Sequence, residues 1–182
     1  SPTSFTTTVP TSPVGVVLGY TQGSPYSLQV GQICATSASQ TASTGVTCFG
    51  GNNGSSTITL SPTPTVSSIS YTVDGGSSQS ATLVAGAFTI SGLSSGSHTV
   101  VISNAGCSNV TATGVSVSTP ANLVASSSAG TIACYGGSTT VTVSATGGTA
   151  PYTGTGSFTV SAGSYSYTVT DANGCSSTTT GT

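Results

Sequence analysis

Apolar and polar positions alternate with period two along much of the chain. Ser56-Thr57-Ile58-Thr59-Leu60, and residues 70–73, 87–91, 99–103, 140–145 and 165–170, set β-branched or aromatic residues between small polar ones. That is the pattern of strands with one face buried. Asp74-Gly75-Gly76 and Ala172-Asn173-Gly174 read as hairpin turns, because Gly and Asn tolerate positive φ. Gly147-Gly148 and Gly154-Thr155-Gly156 break strands in the same way. Ser61-Pro62-Thr63-Pro64 reads as an edge or a loop, since proline cannot donate to a ladder. Short strands at ~8–12-residue spacing predict an all-β fold of the sandwich type.

The pattern occurs twice. One block opens with Cys48-Phe49-Gly50-Gly51 and closes with Asn104-Ala105-Gly106-Cys107. A second opens with Cys134-Tyr135-Gly136-Gly137 and closes with Asp171-Ala172-Asn173-Gly174-Cys175. Each closing turn follows a Gly-Ser-aromatic run, Gly96-Ser97-His98 in one and Gly163-Ser164-Tyr165 in the other. Internal repetition of this kind marks an array of small units. It predicts one sandwich over residues 46–120 and another over 121–182, with residues 1–45 an extended N-terminal segment.

The second block, Cys134-Tyr-Gly-Gly, then Gly147-Gly-Thr-Ala-Pro-Tyr152, then Tyr167-Thr-Val-Thr-Asp-Ala-Asn-Gly-Cys175, resembles the SprB repeat. That family forms tandem Ig-like β-sandwich repeats in large bacterial surface adhesins, gliding-motility adhesins among them. The first block resembles it as a divergent copy, without the Gly-Gly-Thr-Ala-Pro-Tyr stretch. The resemblance implies two tandem Ig-like β-sandwich domains in an exported structural or adhesive module. It supplies no catalytic residues.

Composition narrows the function classes. Of 182 residues, 36 are Ser, 36 Thr and 25 Gly; Lys, Arg and Glu are absent, and Asp74 and Asp171 are the only acids. Nucleic-acid binding needs cations to displace counterions from phosphate, and anionic membrane surfaces need them too. No apolar run approaches the ~18 residues of a spanning helix, so membrane insertion is not expected. With 35% apolar residues and a net charge of only −2, the chain differs from disordered sequences, which combine low hydrophobicity with high charge. Few titrating groups predict stability that varies little with pH or salt. The start at Ser1 fits a mature form whose signal peptide has been removed, and five cysteines point to an oxidising compartment. Asn53-Gly54-Ser55 and Asn109-Val110-Thr111 are N-glycosylation sequons, which suit an extracellular or cell-surface location.

Repeat equivalence pairs the cysteines as Cys48 with Cys107 and Cys134 with Cys175, tying the opening of each block to its close. The alternative is buried free thiols. Cys34 is then left over, bonded to another chain or buried as a small apolar residue.

After Cys107 the first block continues through Val110, Val115 and Val117. After Cys175 the second has only Ser-Ser-Thr-Thr-Thr-Gly-Thr182. A sandwich lacking part of its apolar last strand offers a groove that another strand can fill. Residues 3–20 offer the strand: Phe5 and Val9 lie on an alternating run, and Val16 and Leu18 on an apolar one. Donated to the next subunit, they would propagate a head-to-tail homopolymer. The alternative is that this segment packs on its own first domain or is a linker.

No enzyme is expected. Gly92-Leu93-Ser94-Ser95-Gly96 with His98 matches a hydrolase elbow, but that elbow needs a strand-to-helix turn. No cofactor and no metal site is expected, because calcium sites want several converging oxygens and the two Asp fit turns. The seven tyrosines could form a sugar-stacking face or pack in cores. The expected function is an extracellular structural protein, subunit of a surface filament or adhesive fibre built from copies of itself, with glycans as further partners. The alternative is a monomeric module binding carbohydrate or a surface.

Overall fold

The structure is a computed structural model that describes residues 31–104 and 106–182. Among them it is all-β, with fourteen strands and no helix. Among the described residues no helix is long and apolar enough to cross a membrane. The proposed donor residues Phe5, Val9, Val16 and Leu18 lie outside the described residues.

The strands are β1 (Ser37–Thr44), β2 (Gly54–Ser61), β3 (Ser68–Val73), β4 (Gln79–Thr82), β5 (Ala87–Leu93), β6 (Gly96–Ser97), β7 (Val100–Ser103), β8 (Val110–Thr113) and β9 (Ser116–Val117). They continue as β10 (Val124–Ala129), β11 (Ser138–Thr146), β12 (Gly156–Ser161), β13 (Tyr165–Thr170) and β14 (Ser176–Gly181). Seven form one sheet in the order β4-β3-β7-β8-β1-β2-β5. β1 runs parallel to β8, with Ala38 opposite Ala112. β3 is antiparallel to β4 and β7. β1 falls within the segment 1–45.

The described chain divides into two compact units. One contains the described residues up to Ser39 with Thr59–Phe88 and Thr99–Thr113; the other contains Gln40–Ile58, Thr89–His98 and Gly114–Thr182. The first buries Leu60, Ile69, Phe88, Val100 and Ile102. Its β3–β4 hairpin turns at Asp74 and Gly75, with φ of 51° and 71°; the value at Gly75 is the positive one expected of glycine in this turn. The Asp74 carboxylate accepts the Thr99 N–H at 2.7 Å.

The second unit carries the 121–182 block. The sheet β10-β11-β12 and the hairpin β13-β14 enclose Val141, Val143 and Val169, against which Phe158, Val160, Tyr165 and Tyr167 pack. β11 alternates buried Val141 and Val143 with exposed Thr140, Thr142 and Ser144. The cross-strand pair Val141–Phe158 and the stacked Phe158 and Tyr167 rings, 4.3 Å between centroids, fill the layer between them.

Ser176–Gly181 forms β14 although it lacks the valines of the first block. It pairs along its length with β13, so the last strand of this block is present, built from polar residues. Its half-buried side chains replace apolar contacts with hydroxyl bonds. Ser177 Oγ accepts the Ala125 N–H at 3.0 Å, and Thr179 Oγ1 shares a 2.8 Å hydrogen bond with Ser127 Oγ. The same means serves elsewhere in the unit. Ser56 is fully buried, and Gln40 Nε2 donates to its Oγ at 3.0 Å and to the Ser116 carbonyl at 2.8 Å. Gln40 Oε1 accepts the Ser116 N–H at 3.1 Å.

Gln40→Ala strips Ser56 and Ser116 of these partners. It should lower unfolding free energy by about 1–3 kcal/mol, the cost of orphaning the buried Ser56 hydroxyl, since Ser116 is exposed and regains water, measured by denaturant titration.

Candidate functional site

The closing turn of the second block gathers a polar cluster around Asp171. The Asp171 side chain is buried, 6% exposed. Its Oδ1 accepts the N–H groups of Asn173 and Cys175, each at 2.9 Å. Its Oδ2 accepts the Thr149 N–H at 2.9 Å. The turn closes with Gly174 N–H on the Asp171 carbonyl at 3.1 Å. Burial by itself would raise this carboxyl; the N–H groups of Thr149, Cys175, Asn173 and Gly174 outweigh it and hold the carboxyl below its ordinary value of 3.8.

The partner loop fits because it is glycine. Gly148 has φ +60°, and a Cβ there would meet Asp171 Oδ2 at 2.7 Å, so no other residue lets the carboxylate approach. Tyr152 Oη donates to the Gly147 carbonyl at 2.6 Å, fastening the loop from the other side. Asn173 Nδ2 donates to Thr149 Oγ1 and to the Thr47 carbonyl, each at 3.1 Å. The Gly-Gly-Thr-Ala-Pro-Tyr and Asp-Ala-Asn-Gly-Cys stretches of the second block are thus two halves of one latch. Beside it lies a cavity of about 170 Å³ lined by Cys48, Phe49, Leu123, Gly148, Asp171 and Cys175.

The cysteines do not pair as the repeat suggests. Cys48 bonds Cys175 and Cys34 bonds Cys107, each pair with Cα atoms 5.7 Å apart. Cys134 is the free, exposed thiol. The expected bridges Cys48–Cys107 and Cys134–Cys175 are corrected accordingly, and Cys34 is neither left over nor free. The reason in the second block is geometric. Cys134 precedes the start of β11, whereas Gly148 and the 171–175 turn lie beyond its far end. Nine residues of strand span about 30 Å, and a disulfide needs Cα atoms within about 7 Å. Equivalent positions in the repeat are therefore equivalent turns without being bonded to one another. Two disulfides suggest an oxidising, extracellular environment. Closing loops of 73 and 127 residues, each is worth about 4–5 kcal/mol in the chain-entropy account.

Other candidates take local roles. Asn53 and Asn109 are both exposed. The Asn53 carboxamide also holds a turn: Oδ1 accepts the Thr47 N–H at 3.0 Å, and Nδ2 donates to Thr47 Oγ1 at 2.7 Å. The Gly92–Gly96 stretch runs from β5 into β6, strand to strand, and a His98 ring nitrogen lies 2.9 Å from the Ser94 carbonyl oxygen. Tyr71 is buried, and Tyr152, Tyr165 and Tyr167 pack on the valine core, while Tyr135 is fully exposed. Among the described residues no three His, Cys, Asp or Glu side chains gather where they could hold a metal ion. Sequence reasoning placed Asp171 in a turn but missed its reach to Thr149. The signal was the company of Gly147-Gly148-Thr149 and Asp171 in one block.

No family model and no curated protein matches the chain.

Two outcomes are expected. Alkylation without reduction should label a single cysteine, Cys134, with Cys34–Cys107 and Cys48–Cys175 recovered by peptide mapping. Asp171→Asn should lower Tm at neutral pH, because one amide N–H must then face a backbone N–H. A carboxyl lowered on folding stabilises fully above its ordinary value, and that contribution is lost as pH falls through the folded value. The Tm gap between parent and variant should therefore close on acidification; a constant gap would count against this account.

Proposed function

We propose that the chain is an extracellular structural subunit, assembled head-to-tail into a surface filament or adhesive fibre, with residues 3–20 of one subunit completing the C-terminal sandwich of the next. In this reading residues 46–120 and 121–182 are two Ig-like sandwiches of the SprB-repeat type. The observation that carries it is the outer edge of β12 in the second block, which ends its sheet with no further ladder partner among the described residues. Sheet edges in soluble proteins are guarded by charge or proline. β12 (Gly-Ser-Phe-Thr-Val-Ser) contains neither. An edge left open in a chain without Lys or Arg is suited to receiving another strand.

β14 supplies the last strand itself, so the incoming segment would extend the sandwich at an outer edge. A groove of about 250 Å³ lined by Ile132, Val160, Ala162 and Tyr165 together with Thr139 and Ser161 lies at the end of β12. Alternating Phe5 and Val9 are of a size to fill it. Glycans on exposed Asn53 and Asn109 would keep lateral faces apart while the edges associate. The alternative, a monomeric carbohydrate- or surface-binding module, is favoured by one observation, the fully exposed ring of Tyr135.

Deleting residues 1–20 should abolish polymers formed by the intact chain, scored by negative-stain microscopy and light scattering. Polymers that persist in the deletion variant reject donor-strand assembly. A full-length chain that stays monomeric rejects the filament reading.

A further inference from the structure

The cavity of about 170 Å³ beside the Asp171 turn is lined by residues of the second unit alone and takes no part in the proposed assembly. Its floor is preformed. The Thr149 N–H ties the Gly148 loop to Asp171 Oδ2, and Cys175 is held both by Asp171 Oδ1 and by its bond to Cys48. A ligand entering here does not have to order the loops first. Phe49 stands at the wall with its side chain 59% exposed.

Three kinds of polar atom accompany that ring. Asn122 brings a carboxamide and Ser176 a hydroxyl; both residues line the cavity and are exposed. Neither side chain has a hydrogen-bond partner among the described residues. Asp171 brings a carboxylate oxygen. Its Oδ1 accepts two N–H groups and its Oδ2 only one, which leaves Oδ2 room for another donor. Donors and acceptors therefore occur together, with no cation. An anion would face the Asp171 charge in a chain that has no Lys or Arg to offset it. An ammonium group would find one ring where an aromatic cage supplies several. A neutral sugar matches the set. Each of its hydroxyls can donate and accept, and the C–H face of its ring covers a phenyl group as apolar surface does. Drug-sized ligands fill roughly 300–1,000 Å³, so this smaller cavity suits a single ring.

We infer that the cavity binds one neutral pyranose residue, the terminal sugar of an uncharged glycan, stacked on Phe49 and hydrogen-bonded by Asn122, Ser176 and Asp171 Oδ2. The inference goes beyond the assembly reading and holds for monomer and filament alike. In a filament the seat recurs in every subunit, so weak single contacts add up to firm attachment.

The test titrates the intact chain with the methyl glycosides of glucose, galactose, mannose and N-acetylglucosamine. Saturation-transfer NMR follows the ligand and so serves polymer and monomer equally. At least one glycoside should bind with a dissociation constant on the order of 1 mM, the strength that about a dozen heavy atoms give at ordinary ligand efficiency. Phe49→Ala should weaken binding about tenfold, whereas Phe49→Tyr, which keeps the ring, should retain it. Asn122→Ala should weaken it about three- to tenfold, as loss of one neutral hydrogen bond does. Both positions are exposed, so the variants should keep the parent Tm. Tyr135→Ala, an exposed ring at the opposite end of β11, should change nothing. Failure of all four glycosides to bind overturns the inference, as does binding that Phe49→Ala leaves intact. Binding of choline or acetate in place of the glycosides overturns it too. Polymer loss on deleting residues 1–20 bears on assembly alone, so the two ideas can fail separately.

Discussion

A chain with no cation and two carboxylates must satisfy every buried polar group with backbone amides, hydroxyls and carboxamides. That constraint shapes each part of the molecule. Gln40 spends its whole amide on Ser56 and Ser116. Ser177 and Thr179 meet β10 with hydroxyls where apolar side chains would otherwise sit. Asp171, the buried acid, has no positive partner and is balanced by N–H groups alone. Among the described residues no buried side-chain nitrogen or oxygen lacks a partner. The result is a core of small extent, three fully or nearly fully buried valines in the second block, stiffened by hydrogen bonds and the Cys48–Cys175 disulfide.

The same constraint makes edges matter. Soluble β proteins hold their edges apart with lysine and other charges, and net charge far from zero suppresses association. Neither protection is available here. Sugars on serine, threonine and asparagine, or controlled association through the edges themselves, are the physical means left. The proposed fibre uses the second, and the exposed sequons are compatible with the first.

The latch around Asp171 shows how local and long-range chemistry combine. The turn from 171 to 175 is specified by its own residues, as the carboxylate gathers two N–H groups within four positions. Its attachment to Gly148 and Thr149 fixes one pole of the block. Its attachment to Thr47 and Cys48 then joins sequence from the first block to the second. The length of β11 keeps Cys134 away from this pole, which is why the thiol equivalent to Cys48 is left at the opposite end.

Period-two alternation was enough to place β2, β3, β5, β7, β11 and β13, because each puts β-branched or aromatic residues on one face. The hairpin turns at Asp74 and Asn173 were equally legible from glycine and asparagine. Ser37–Thr44, Val124–Ala129 and Ser176–Gly181 were not, since their sequences are mostly small and polar. They are strands because neighbours offer ladders and hydroxyl partners, which no local pattern records. The repeat identified the turns that carry Cys48, Cys107, Cys134 and Cys175 as equivalent. Which cysteines bond was decided only by the fold, because a disulfide answers to distance in space, and distance here is set by strand length and direction. Sequence therefore determined the all-β character and the absence of lysine and arginine; tertiary structure decided the pairing, the latch and the one thiol left exposed.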